Sequence, residues 1–249
     1  MVEMGSKIGL ILSVVIAFIV PILMLIYYMV YKKQRLKPFI VGVLVFFISQ
    51  IVLRMPLLSY VLPSQLWYMR LSLNPYVYSI FLGLTAGIFE EVGRYIGFKY
   101  FLRNNQKYND GLSFGFGHWA IEALLIVGIN AVVLLFSPDL LKTLEVSTMN
   151  AFMMGFERLF VLSVHVGLSM IVLYSIRLNK ISYLLIAIIL HGIVDAGIGI
   201  LQQLFNMGSI GMEIYVLIWG LGFLYLIYKF KLKFNELGCK SNNMVEEEK

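Results

Sequence analysis

The sequence predicts an all-α membrane protein: one polytopic bundle of about seven transmembrane helices. Of its 249 residues, 60% are hydrophobic and only 14% are charged, whereas a soluble domain carries roughly a quarter charged residues. Apolar stretches of about 20 residues, the length that crosses a bilayer as a helix, recur along the chain. The basic residues fall in short segments between these stretches. The net charge of +6 therefore indicates orientation in a membrane, and we expect a lipid bilayer as partner and no nucleic acid.

Each apolar stretch is justified as a helix by its length and its boundaries. The predicted helices cover residues 8–30, 38–54, 76–98, 112–136, 152–175, 181–203 and 211–230. Pro38 and Pro75 fall at helix starts, where a missing N–H costs least. The first stretch is too long for the apolar part of a signal peptide, so we interpret it as a retained helix. The mixed, aromatic segment 55–74 is predicted to lie at the membrane interface.

The distribution of basic residues predicts the orientation. Fifteen of the twenty lysine and arginine residues fall on one side of the predicted topology. The positive-inside rule then places the N-terminus outside and the C-terminus in the cytoplasm of a multi-pass membrane protein. We expect a single transmembrane domain over 1–235, with a site-bearing core at about 76–200. Residues 236–249 form a polar cytoplasmic tail that we expect to be disordered.

The three histidines of the chain all lie inside predicted membrane helices. His118 is followed four residues later by Glu122, and His191 is followed four residues later by Asp195, so each pair shares a helix face. His165 has no such neighbour. An ionisable group at membrane depth costs about 2.5–3.5 kcal/mol on insertion scales, which indicates that these residues are kept for a function.

The predicted topology places these groups at similar depths. At about 1.5 Å per residue, Glu90 and Glu91 lie about 10–12 Å below the cytoplasmic surface. On the same basis His118 lies about 10 Å deep, and His165 and His191 lie about 15–16 Å deep. The sequence therefore predicts one site, built by four helices in the cytoplasmic half of the bilayer.

Imidazole and carboxylate groups are suited to zinc, which in catalytic sites has three protein ligands and an exchangeable water. A further carboxylate can accept a proton from that water. Structural explanations exist for each feature alone: a packing histidine, a helix-end ion pair, or interhelical polar contacts worth about 0.6 kcal/mol. Glu157-Arg158 is expected to be a structural pair.

Four short motifs resemble, in the same order, those of the YhfC family of bacterial intramembrane metalloproteases. They are Glu90-Glu91-Val92-Gly93-Arg94, the segment 115–122 (GFGHWAIE), Glu157-Arg158 leading to His165, and 191–195 (HGIVD). The resemblance covers roughly residues 76–200. The family is similar to the type II CAAX prenyl proteases, the PrsW-type proteases and the multispanning scaffold subunit of gamma-secretase. Prenyl proteases have three residues between the double glutamate and the arginine, whereas this chain has two, closer to the PrsW-type spacing.

The resemblance implies a set of site residues. The implied catalytic residues are Glu90, Glu91, His165, His191 and Asp195. Either glutamate would activate water, and His165, His191 and Glu91 would bind a metal, zinc being the expected cofactor, or the histidines would stabilise the oxyanion. Residues implied to contact substrate or support the site are Arg94, His118, Glu122, Glu157 and Arg158. The roles of His118 and Glu122 follow less directly from the resemblance, because the second motif differs from that of the prenyl proteases.

The implied function is a metal- or glutamate-dependent endopeptidase that acts on a membrane-embedded or hydrophobic protein or peptide. One alternative is a non-catalytic scaffold or immunity-type protein of the same fold that binds a partner peptide, since the gamma-secretase scaffold keeps related histidines without being regarded as catalytic. Another is a proton- or metal-coupled carrier, although the chain lacks the inverted repeats and interrupted helices that carriers often have.

Overall fold

The computed structural model describes residues 4–247, and for 237–247 it describes the backbone alone. All regular elements in this range are helical. They are α1 (Met4–Tyr31), α2 (Lys33–Ser64), α3 (Leu66–Ser72), α4 (Pro75–Phe101), α5 (Tyr108–Phe136), α6 (Pro138–Thr143), α7 (Thr148–Leu178), α8 (Ser182–Phe205) and α9 (Ser209–Glu247). The predicted all-α class is confirmed.

Six of the described helices, α1, α2, α5, α7, α8 and α9, are long and apolar enough to cross a membrane. The seventh predicted span is α4, which follows the short α3 at an angle of 115°. Helix α4 begins at Pro75, and the side chain of Asn74 caps it by accepting from the backbone N–H groups of Tyr76 and Val77 at 3.1 and 3.2 Å. The protein is therefore a multi-pass membrane protein with six or seven spans.

Two boundaries differ from the sequence expectation. Helix α2 continues to Ser64, well beyond the predicted end at residue 54, and is π-helical over Phe47–Arg54 and Leu57–Val61. Only Leu66–Ser72 remains a separate segment of the predicted interfacial stretch. The described backbone also differs from the expectation of a disordered tail, because α9 continues to Glu247.

Glycine permits close packing where α4 crosses α8 and where α2 crosses α5. A Cβ atom added to Gly83 of α4 would lie 2.4 Å from the carbonyl oxygen of Gly192 in α8. A Cβ atom on Gly42 of α2 would lie 2.1 Å from the carbonyl oxygen of Phe114 in α5. Small residues let membrane helices approach at such distances. Helix α7 is central: 72% of its most apolar stretch is buried, and it contacts α4, α5 and α8.

Candidate functional site

The side chain of Glu90, on α4, is the point on which the three histidines converge. Its Oε2 atom lies 2.9 Å from Nε2 of His118, 3.9 Å from Nδ1 of His165 and 3.9 Å from Nε2 of His191. The histidines belong to α5, α7 and α8, so four helices contribute to one cluster. None of these four residues is more than 4% exposed. Every imidazole of the chain thus surrounds a single carboxylate oxygen.

Arg94, one helical turn after Glu90, places a cation at the same point. Its Nη2 atom lies 2.9 Å from Nε2 of His118 and 2.8 Å from Nδ1 of His165, and 3.2 Å from Oε2 of Glu90. Its Nη1 atom donates to the carbonyl oxygen of His165 at 2.8 Å and to Oγ of Ser169 at 3.2 Å. Because Nη2 carries two hydrogens and faces three neighbours, these contacts compete with one another.

Glu91 has different neighbours from Glu90, because consecutive residues point about 100° apart around a helix. Its Oε1 atom lies 2.7 Å from Nδ1 of His191 and 3.5 Å from Nε of Arg94. Its Oε2 atom is buried and, among the described residues, has no hydrogen-bond partner. If Nδ1 of His191 carries the proton and donates to Glu91, the lone pair on Nε2 is directed towards Glu90. We call Glu90, Glu91, Arg94 and the three histidines the Glu90 centre.

A second group of charges, the Arg158 centre, consists of Glu122, Glu157 and Arg158. The guanidinium of Arg158 donates through Nη1 to Oε1 of Glu122 at 2.8 Å and through Nη2 to Oε1 of Glu157 at 2.7 Å. The other oxygen of Glu122 contacts Nε2 of His165. The indole N–H of Trp119 donates to the carbonyl oxygen of Arg158 at 2.7 Å. His165 therefore links the two centres, with one ring nitrogen facing each.

A cavity of about 100 Å³ lies between the two centres. Its polar lining comes from Glu90, Glu122, Glu157, Arg158, His165, His191 and Asp195, and its apolar lining from Val161, Val164, Val194, Ile198 and Val216. At about 30 Å³ per molecule, the cavity has room for about three waters. The side chain of Asp195 is 40% exposed, with Oδ2 3.6 Å from Nε2 of His191. It is the most exposed charged group of the site.

The site carries an excess of negative charge. The two centres together with Asp195 contain five carboxylates and two guanidinium groups, which leaves a net charge of −3 when the histidines are neutral. Buried charge without compensation is unfavourable, so the cluster favours a bound cation or protonated histidines.

The residues of the Glu90 centre fit a divalent metal in type and spacing. Two sets of three have ligand atoms within 4.8 Å of one another: Glu90, His118 and His165, and Glu90, Glu91 and His191. Donors bound tetrahedrally at about 2.0–2.1 Å lie about 3.4 Å apart, between the 2.9 and 3.9 Å that separate Glu90 Oε2 from the histidine nitrogens. In the first set Nη2 of Arg94 stands between the donors, so a metal bound there would take its place.

The structure brings all ten residues singled out from the sequence into the two linked centres and their cavity. They are Glu90, Glu91, Arg94, His118, Glu122, Glu157, Arg158, His165, His191 and Asp195. The three expected metal ligands fall into different sets: His165 belongs to the first, and His191 and Glu91 belong to the second. The individual roles remain predictions.

Sequence reasoning missed Gln50 of α2, which is buried and donates through Nε2 to Oε1 of Glu90. It also missed Arg54, whose Nη1 atom donates to Oε1 of Gln50 at 3.0 Å. The sequence signal that could have found them is an amide four residues before an arginine, both within the predicted apolar helix 38–54.

Comparison with known proteins agrees with the geometry. The family model of the YhfC intramembrane metalloprotease matches residues 16–218. The chain is also 29% identical over 257 residues to the "Uncharacterized membrane protein YhfC" of Bacillus subtilis (strain 168), covering 94% of this chain and 100% of that protein. No solved structure matches. The chain belongs to the YhfC intramembrane metalloprotease family.

Proposed function

We propose that the protein is an intramembrane endopeptidase whose hydrolytic site is the Glu90 centre, acting on membrane-embedded or hydrophobic polypeptides. The observation that carries this proposal is the convergence of all three histidines on Oε2 of Glu90. A purely structural polar contact needs two partners, whereas this oxygen has three imidazoles and a guanidinium around it. The adjoining cavity, which has both polar and apolar lining residues, supplies space for water and for a peptide carbonyl.

The geometry favours Glu90 over Glu91 as the base. Glu90 lines the cavity, whereas Glu91 is fully buried and contacts Nδ1 of His191. A carboxylate bound to the far nitrogen of a histidine fixes the orientation of its ring. In the proposed reaction Glu90 accepts a proton from water as its oxygen attacks the peptide carbonyl. The same proton is then given to the leaving amine as the C–N bond breaks.

A divalent metal, with zinc the expected ion, would be held by Glu90, His118 and His165, or by Glu90 and His191 with Glu91, and Glu90 would then serve as a ligand instead of as the base. When bound it would polarise the peptide carbonyl and acidify a water molecule. The residues of the chain bring the donors together: Arg94 holds Glu90, His118 and His165 around one point, and Glu91 aligns His191. In the metal-free case His165 and His191, which line the cavity, would stabilise the negative oxygen of the intermediate when they are protonated.

The proposed site lies in the cytoplasmic half of a bacterial plasma membrane, with the N-terminus outside. This orientation rests on the basic residues between the spans. A substrate helix would reach the cavity from the side on which Asp195 is exposed.

The test is a comparison of membranes from cells that express the wild type or Glu90→Gln. Mass spectrometry of protein N-termini should reveal fragments cut within or beside membrane spans in the wild type and not in the variant. Asp139→Asn, at the start of the short α6, serves as the expression control and should leave the fragments unchanged. Metal analysis of purified protein should find about one zinc per chain, lost in His118→Ala/His165→Ala. Identical fragments from wild type and Glu90→Gln would contradict the proposal.

A non-catalytic scaffold is the second candidate, and the position of Arg94 favours it. Its guanidinium already occupies the point between Glu90, His118 and His165 and contacts all three. In that case Glu90→Gln would lower thermal stability or the capture of a partner peptide, and no fragment would disappear.

A further inference from the structure

We propose that Gln50 and Arg54 of α2 are positioning residues that hold one oxygen of Glu90 and leave the other as the single working oxygen of the site. The consequence for catalysis depends on the proposed function, whereas the effect on the Glu90 carboxylate does not. Neither residue belongs to the motifs that carry the family resemblance.

The contacts form a chain that begins and ends on α4. Arg54 is anchored to α4 by Nη2, which donates to the carbonyl oxygen of Leu82 at 2.7 Å, and by Nε, which donates to Oγ1 of Thr85 at 3.2 Å. Its Nη1 atom donates to Oε1 of Gln50 at 3.0 Å, and Nε2 of Gln50 donates to Oε1 of Glu90. Between Arg54 and Glu90 both hydrogen bonds run in one direction: Arg54 donates to Gln50, and Gln50 donates to Glu90.

The arginine determines which way the amide of Gln50 points. A guanidinium can only donate, so it must face the amide oxygen, and the NH₂ group is then directed at the carboxylate. Gln50 is 6% exposed, so water does not compete freely for these bonds. In the described part of the chain Arg54 forms no direct ion pair, so its contact with the centre passes through Gln50.

The backbone of α2 is unusual at this position. Phe47–Arg54 is π-helical, and such segments occur frequently at functional sites. Gln50 and Arg54 are turned inward, whereas Val52 and Leu53 between them are about half exposed on the outer surface. Helix α2 thus directs two polar side chains into the bundle, while the apolar residues between them face outward.

This arrangement separates the functions of the two oxygens of Glu90. Oε1 is held by Gln50, whereas Oε2 faces the three histidines and Arg94. A carboxylate fixed in this way binds a metal through one oxygen, or acts as a base through one oxygen, and cannot rotate between its neighbours. Outer partners of this kind typically affect metal affinity or activity by about 10–100-fold.

The direct test is infrared spectroscopy of metal-free protein in detergent, with the Glu90 carboxylate band identified by subtraction of the Glu90→Gln spectrum. We expect the band to shift in Gln50→Leu and to shift less in Arg54→Met. The double variant should match Gln50→Leu alone, because the two residues act in series. Ser49→Ala is the matched control: this neighbour is also buried, but among the described residues its hydroxyl bonds only to the α2 backbone at Val45 and Phe46, so the band should stay in place. If Gln50→Leu does not fold, Gln50→Asn replaces it, because the shorter amide cannot keep both contacts.

A second measurement follows the consequence at the site, with Co²⁺ as the probe. Gln50→Leu should bind Co²⁺ about 10-fold or more weakly, with a fainter visible spectrum as both oxygens of Glu90 become free to bind and the coordination number rises. An unmoved carboxylate band in a folded Gln50 variant would overturn the positioning proposal. A wild type that binds no Co²⁺ and cleaves nothing would instead count against the proposed function, and the infrared result would still decide the role of Gln50.

Discussion

The two charged centres use the same residue types in opposite ways. In the Arg158 centre one guanidinium faces two carboxylates, Glu122 and Glu157, and each has one short contact with it, at 2.8 and 2.7 Å. In the Glu90 centre one oxygen is approached by three imidazoles and a guanidinium, and their contacts compete. In the Arg158 centre each carboxylate therefore has a contact of its own with the guanidinium, whereas in the Glu90 centre Nη2 of Arg94 has two hydrogens for three neighbours.

The difference shows how a functional cluster can be told from a structural one inside a membrane. A protein loses stability when one partner of a buried ion pair is removed, because the other charge remains buried. Where several groups compete for one partner, one group can be removed with little loss of stability, because the remaining groups pair with one another. The arrangement that performs chemistry is then lost. We therefore expect substitutions in the two centres to separate activity from stability.

The largest effect is expected for Glu90→Gln. The amide keeps the shape of the side chain and removes the base, so cleavage should fall by about 10²–10⁴-fold, the usual contribution of a general base. The melting temperature should change little, because one buried charge leaves an already negative cluster. Fragment yield in reconstituted vesicles and a thermal melt in detergent measure the two effects. A large loss of stability would instead assign Glu90 to the structural class.

The next effect is expected for Arg158→Met, which leaves Glu122 and Glu157 without their cation. Their side chains are 14% and 27% exposed, so the loss in free energy of unfolding should be about 3 kcal/mol, the lower end for a broken buried pair. Adding Glu122→Gln and Glu157→Gln should recover much of it, because no uncompensated charge remains. Equilibrium unfolding in detergent measures both. If the triple variant is no more stable than Arg158→Met, the comparison between the centres fails.

The sequence predicted the fold class and the helices of the Glu90 centre because membrane length and helical periodicity are local properties. It also brought His118, His165 and His191 to a common depth. Which nitrogen faces which oxygen depends on the rotation of each helix about its axis, and packing sets that rotation. The roles of Gln50 and Arg54 were missed for a related reason: they lie in α2, outside the recognised motifs, and they reach the site only because α2 packs beside α4.

A smaller effect is expected for Gly83→Ala, which tests the crossing of α4 and α8. The added Cβ would lie 2.4 Å from the carbonyl oxygen of Gly192, so α8 must shift, at a cost of about 1–3 kcal/mol. The shift moves His191 away from Glu90 and leaves the pairing of Arg158 within α5 and α7 intact. Activity should therefore fall more than the stability loss alone explains. The control is Gly222→Ala in α9, where no described atom lies within 4 Å of the added atom, so activity should stay unchanged and stability should not fall.

The smallest effect is expected for Asp195→Asn. Its carboxylate lies 3.6 Å from Nε2 of His191, too far for a hydrogen bond, and its side chain is 40% exposed, so solvent screens the attraction. Exposed ion pairs contribute about 0–1 kcal/mol, which corresponds to a loss of activity below about 5-fold. The sequence alone placed Asp195 with the catalytic residues, and initial cleavage rates of Asp195→Asn beside wild type distinguish the two roles. A loss of 100-fold or more would mean that Asp195 moves onto the reacting group or a metal during the reaction. The working centre would then extend along α8 from His191 to Asp195, which lines the cavity.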